Sequence, residues 1–250
     1  MEKTENVWFR FGLIGKDISY SFSRGYFAQK FDALNMPHHV YENFDLKEIT
    51  EFPSLMDNNP EIRGLNVTIP YKELIIPYLN QLEDSAKKIG AVNTIKIEDE
   101  KLIGFNTDAY GFQKSIVPYL KEHHKKALIL GTGGASKAIA YVLNNLNIPF
   151  KFVSRTGRNN GYAYEDLDAD ILSEHKIIIN CSPVGTFPNV TEKPAIPYTA
   201  ISNRHLLFDL IYNPKKTAFL LKGEQQGATV LNGLKMLELQ AEKAWEIWNE

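Results

Sequence analysis

A chain of 250 residues with 44% hydrophobic and 12% aromatic residues can build one large core or two modest ones, and is too apolar to be largely disordered. Its 28 basic and 30 acidic side chains leave a net charge of -2 with no long run of one sign, which removes the footprint of a nucleic-acid binder and favours a small-molecule partner. Cys181 is the only cysteine, so no intramolecular disulfide can form. The start MEKTENVWFR lacks the apolar centre of a secretory signal, and no apolar run nears the ~20 residues of a membrane helix, so a cytoplasmic protein without a membrane partner is expected.

In chain order, WFRFGLIG, HHVYENF and IRGLNVT read as short strands. A helix starting at Ser23 lies between the first two, with Phe27, Phe31 and Leu34 at i, i+4 and i+7 as its expected inward face. This alternation predicts a βαβ-type sheet. Pro77 should interrupt any helix begun near Tyr71, because it lacks the amide hydrogen and clashes with the preceding turn. LEDSAKKIG predicts a short helix with acids at its start and Gly90 at its end. AVNTIKIE and KLIGFNTD, joined by a polar turn at Asp99 and Glu100, predict a β-hairpin.

A longer helix is expected from Ala109 to KEHHKK, and KALILGTGGASKAIAYVLNNL then reads as strand, glycine turn and helix, the opening of a second domain. The strands FKFVSRT, KIIINCS and HLLFDLIY follow with helical or irregular segments between them, the pattern of a parallel, doubly wound α/β sheet. From Gly233 the chain is helical, with Leu234, Leu237, Ala241, Ala244, Trp245 and Trp248 in one apolar stripe.

The loop GTGGAS, residues 131 to 136, sits where a glycine turn lets a helix N-terminus approach a pyrophosphate. Gly131 and Gly133 supply the first two glycines of GxGxxG, and Gly134, Ala135 and Ser136 complete the loop, with serine where the third glycine would stand. About 20 residues further on, NAD-binding versions carry an acid for the ribose 2′-hydroxyl. This chain has Ser154, Arg155, Thr156 and Arg158 there. Guanidinium groups pair with a 2′-phosphate that a carboxylate would repel, so NADP(H) is expected and no metal.

Asn66, Thr68, Lys72, Asn93, Thr107 and Asp108 fall at the ends of predicted strands or just beyond them, where open α/β sheets assemble ligand sites. The motifs SYSFS, NVTIPYKE, GAVNTI, NTDAYGF, GTGGASKA, SRT, NCSPVG, FDLIYNP and NGLKMLELQA, in this order, resemble the shikimate dehydrogenase family over nearly the whole chain. The resemblance implies an α/β protein with an N-terminal βαβ substrate domain on a mixed sheet, residues 1–107, completed by a C-terminal helix at 233–250. A Rossmann-like NADP domain, residues 108–232, lies between. It implies NADPH-dependent reduction of 3-dehydroshikimate to shikimate by a monomer or homodimer.

Carried over position by position, Lys72 and Asp108 resemble the catalytic pair, and Ser21 and Ser23 the hydroxyls on the substrate carboxylate. Asn66, Thr68, Asn93 and Gln240 resemble the ligands of the ring and its hydroxyls, Tyr212 a further substrate contact, and Gly233 a cofactor contact. The chain departs from the family where Arg24 replaces a proline, Ser154 an asparagine and Lys235 a glycine. A quinate or quinate/shikimate dehydrogenase with relaxed cofactor use is one alternative. A non-catalytic sensor of a shikimate-like ligand and nucleotide is another, and such a sensor could lose Lys72 or Asp108 without penalty.

Overall fold

The computed structural model describes residues 8–19, 21–157 and 160–250; Arg158 therefore lies outside the described residues, as do the start of the chain and Tyr20 of SYSFS. The chain forms two compact units, one made of the described residues of Met1–Thr107 with Ala241–Glu250, the other of Asp108–Gln240.

The first unit contains β1 (Phe9–Gly15), α1 (Phe22–Ala33), β2 (His39–Asp45), α2 (Phe52–Asp57), β3 (Ile62–Val67), β4 (Gln81–Leu82), α3 (Asp84–Ile89), β5 (Thr94–Glu98) and β6 (Lys101–Phe105). Its sheet is mixed, in the order β2-β1-β3-β5-β6-β4. β1 runs parallel to β2 and β3, while β5 is antiparallel to both β3 and β6. Alternation along the strands feeds two cores: Ile14, Leu65, Val67 and Ile95 pack with Phe52 and Ile75. Phe11 and Leu13 pack on the opposite face with Phe27, Phe31, Ala244 and Trp248.

Local chemistry sets the element ends. The Glu83 carboxylate accepts from the Ser85 and Ala86 amides at the start of α3, and Gly90 closes that helix at φ 70. Asp99 (φ 48) and Glu100 (φ 61) form the two-residue left-handed turn that matches the twist of the β5–β6 hairpin. α1 buries Phe27 and Phe31, but Leu34 is 48% exposed. It is the C-cap after the last helical residue, so the expected inward stripe stops one position short.

The second unit opens with α4 (Thr107–Ile116), whose first residue belongs to the first unit. This helix is shorter than its periodicity predicts, because Pro118 disfavours a helical backbone at Val117 and the next three residues form a 3₁₀ turn. Then come β7 (Ala127–Leu130), α5 (Gly134–Asn145), β8 (Phe150–Ser154), β9 (Tyr162–Ala163), α6 (Ala169–Glu174), β10 (Ile177–Asn180), β11 (Leu206–Asp209), α7 (Ala218–Gln225), β12 (Thr229–Leu231) and α8 (Leu234–Asn249). The last nine residues of α8 belong to the first unit.

The sheet runs β12-β11-β10-β7-β8-β9 with every pair parallel. Read from β9, this is the Rossmann order, with the switch point where β7 lies between β8 and β10. All residues of β7, β10 and β11 are buried, which accounts for their unbroken apolar runs. Among the described residues, no helix is long and apolar enough to cross a membrane.

Candidate functional site

In the first unit the polar residues at the strand ends bind one another. Asn93, buried just before β5, accepts the Thr107 amide on Oδ1 at 2.7 Å and donates from Nδ2 to the Thr107 hydroxyl at 3.0 Å. It thereby satisfies one of the open N–H groups at the start of α4. Asn66 donates to the Asn93 carbonyl at 3.3 Å and to Thr94 Oγ1 at 3.1 Å, and accepts from the Tyr41 hydroxyl at 2.8 Å. Asn106 donates to the Ala91 carbonyl at 2.9 Å.

Lys72 follows β3 on a segment pinned at several points. The Thr68 amide donates to Ile14 O at 2.8 Å, the Tyr71 amide to Thr68 O at 2.9 Å, and the Val92 amide to Lys72 O at 2.7 Å. The Tyr71 ring is buried and its hydroxyl donates to Leu46 O at 2.7 Å. The Lys72 backbone is therefore tied to the residue next to Asn93, with its half-buried side chain carried on an anchored turn.

Ser21 and Ser23 sit at the start of α1, with Ser21 as the N-cap. The loop leading to them is held by the Asp45 carboxylate, which accepts from the Asp17 amide at 2.9 Å and the Ile18 amide at 3.3 Å. Asn43 donates to Ile18 O at 2.7 Å. Ser21 caps no helix amide with its side chain, and its buried Oγ has no hydrogen-bond partner among the described residues. An orphaned buried hydroxyl is costly unless a ligand satisfies it.

In the second unit, Asp108 is buried in the first turn of α4, where the helix dipole favours a carboxylate. Three residues on, Gly111 lies so close to α8 that an added Cβ would stand 2.6 Å from Met236 O and 3.3 Å from Gln240 Cβ. Gln240 is thus seated one turn from Asp108 on α4. Tyr212 lies half-buried in the loop after β11. Gly233 is buried, and a Cβ there would meet Leu210 O at 2.0 Å, so internal packing already requires this glycine.

The glycine loop leaves β7 at Gly131 (φ 105), whose amide donates to Val153 O at 2.8 Å. Gly133 is the N-cap of α5, and a Cβ built on it would meet nothing within 4 Å. The protein itself does not fill that space, which fits a pyrophosphate on the helix N-terminus. Gly134 and Ala135 open α5 beside it, while the buried Ser136 donates its hydroxyl to Gly133 O at 2.6 Å. At the end of β8 the buried Ser154 Oγ has no partner among the described residues, and Arg155 and Thr156 are exposed. These groups suit a phosphorylated dinucleotide.

Sequence reasoning missed two features. Tyr41, on β2, reaches Asn66, although its place in HHVYENF marks it only as a strand residue. In the second unit, fully buried Asp209 accepts from Asn180 Nδ2 at 3.0 Å, the Ile211 amide at 3.1 Å and the Thr217 hydroxyl at 2.6 Å. Asn180 Oδ1 in turn accepts from the Ser182 amide at 3.1 Å and hydroxyl at 2.7 Å. The loops after β10 and β11 are so joined. Burial pushes the Asp209 carboxyl up to about 6 against the three bonds that favour its anion. Burial also raises the Cys181 thiol well above its ordinary value, which keeps it protonated and unreactive.

The family model for the shikimate dehydrogenase substrate binding domain matches residues 13–95. The shikimate dehydrogenase (NADP(+)) of Clostridium botulinum (strain Hall) is 39% identical over 248 residues, covering 95% of each chain. The protein of the same name from Methanosphaera stadtmanae is 37% identical over 259 residues, covering 95% of this chain and 90% of its own. Among solved structures, shikimate 5-dehydrogenase from Thermus thermophilus, in complex with NADP(H) and shikimate, matches with a TM-score of 0.84 at 28% identity, covering 96% of this chain and 92% of its own.

Proposed function

This chain belongs to the shikimate dehydrogenase family, and from that premise we propose that it catalyses the NADPH-dependent, reversible reduction of 3-dehydroshikimate to shikimate, a step toward the aromatic amino acids. The observation that carries the reading is that one chain, 39% identical to a shikimate dehydrogenase (NADP(+)) over 95% of its length, combines two different polar sites. One is a set of interlocked amides and hydroxyls suited to a polyhydroxylated ring. The other is an open glycine turn followed by arginine instead of an acid.

Residues 1–107 with 233–250 serve the substrate and 108–232 the cofactor. Ser21 and Ser23 face the substrate carboxylate; Asn66, Thr68, Asn93, Tyr212 and Gln240 face the ring and its hydroxyls. Such a ring must exchange its water hydrogen bonds for protein ones, and side-chain amides and hydroxyls offer both donors and acceptors. Gly131, Gly133, Gly134, Ala135 and Ser136 approach the pyrophosphate; Ser154, Arg155, Thr156 and Arg158 approach the 2′-phosphoribose; Gly233 borders the cofactor. The bound cofactor supplies the hydride.

Reduction of a ketone leaves alkoxide charge on its oxygen. Lys72, as ammonium, donates a proton there, and Asp108 orients that ammonium and shares its hydrogen bonds. In the reverse direction neutral Lys72 accepts the proton. A positioned proton donor of this kind contributes a factor of roughly 100 to 10,000. The enzyme works in the cytoplasm as a monomer or homodimer, and its balanced charge gives it no nucleic-acid partner.

Initial rates of the purified protein with shikimate and with quinate, each paired with NADP+ and with NAD+, test the reading. Shikimate with NADP+ should be the fastest pairing. A marked preference for quinate with NAD+ would overturn it, and no turnover with any pairing would favour a sensor.

A further inference from the structure

We infer that Tyr41 is a positioning residue for the substrate, acting through Asn66; this rests on the assignment of Asn66 to shikimate. The amide of Asn66 has only one orientation that its surroundings accept. Its nitrogen faces the Asn93 carbonyl at 3.3 Å and Thr94 Oγ1 at 3.1 Å, and a flipped amide would set oxygen against the Asn93 carbonyl oxygen. Asn66 Oδ1 must therefore face Tyr41, and since it can only accept, the phenol must donate its single proton at 2.8 Å. Burial opposes ionisation of the phenol, so it stays protonated and keeps donating to Asn66.

The ring carrying this hydroxyl cannot swing away. Tyr41 is 5% exposed and stacks on Phe27 at 4.5 Å between centroids and 11° between planes, with Trp248 at 6.4 Å. Its place in β2 is fixed by pairing with Phe11 of β1. One immobile hydroxyl thus holds the oxygen of the Asn66 amide at the end of β3. Deleting it leaves the aromatic packing in place and takes that donor from the amide oxygen.

The test is Tyr41→Phe, assayed beside wild type with shikimate and NADP+. The variant should fold with a modest loss of stability, raise KM for shikimate about tenfold, and leave kcat and KM for NADP+ within about twofold. In an Asn66→Ala background, the same substitution should raise KM for shikimate by clearly less, because the group it acts through is already gone. An unchanged KM for shikimate would overturn the inference. So would an effect that is undiminished in the Asn66→Ala background, or one that falls equally on both substrates. Inactive wild type would instead defeat the functional assignment, so the two failures are distinct.

Discussion

The two units present their polar groups by opposite means. In the first, side chains from distant parts of the sequence satisfy one another: Tyr41, Asn66, Asn93 and Thr107 form one connected set, while Ser21 Oγ is buried without a partner among the described residues. In the second, the glycine loop offers backbone and open space, and at the end of β8 Ser154 Oγ is buried without a partner among the described residues. A ring bearing a carboxylate and several hydroxyls demands donors and acceptors in particular directions, whereas a pyrophosphate is met by helix-end amides. The contrast teaches that the first site is built as a network and the second as a backbone shape.

The comparison can be broken at several points. The largest effect belongs to Lys72, which is carried on an anchored turn beside the network. Lys72→Ala should lower kcat by roughly 100- to 10,000-fold while NADP+ affinity, read by fluorescence titration, stays within about twofold. Wild-type-like turnover would remove it from the chemistry. Next is Asn93→Ala, which strips a buried network and leaves the Thr107 amide unanswered; thermal melts should show a loss on the order of 3 kcal/mol. A loss near zero would mean that the first unit does not depend on its polar interior.

Asp209 offers a pH-resolved test in the second unit. Its folded pKa is raised to about 6, so the protonated form is the one the fold prefers. The stability it contributes is complete below the ordinary carboxylate range and is lost as pH rises through it to about 6, roughly 2 to 3 kcal/mol in all. Buried His205, whose pKa burial lowers, acts in the opposite sense: its contribution is complete above the ordinary histidine range and is lost as pH falls. Asp209→Asn isolates the first component. Denaturant melts between about pH 4 and 6 should lose the carboxyl's downward slope in the variant, and an identical slope would show that Asp209 is not the group involved.

A smaller effect is expected at Arg155. Arg155→Ala should weaken NADP+ by roughly 10- to 100-fold and NAD+ hardly at all, since one charge-assisted contact to the 2′-phosphate is lost. Equal weakening of both would assign the arginine elsewhere.

Legibility in the sequence follows the same contrast. The parallel sheet and its glycine turn could be read because they need apolar runs and glycines at fixed offsets, and the hairpin at Asp99 and Glu100 because a short polar turn separates two strands. Leu34 broke its stripe because periodicity does not reveal where a helix stops. The helix after Asp108 ended early because Pro118 outweighed the apolar positions. Tyr41 and Asp209 were hidden for another reason: in sequence each is one residue of a short strand, and only the pairing of β2 with β1 and of β11 with β10 gives its polar atom a partner. The family motifs named Lys72 and Asp108; their spacing alone did not.

The division of labour between the units is tested most directly by titrating shikimate and NADP+ separately into Asn66→Ala and Gly133→Ala by calorimetry. Gly133→Ala should fold normally, since beyond the adjoining backbone nothing among the described residues lies within 4 Å of the added methyl. It should lose about tenfold in NADP+ affinity and keep that for shikimate, while Asn66→Ala should do the reverse. If either variant weakened both ligands equally, the separation of side-chain and backbone recognition would be contradicted.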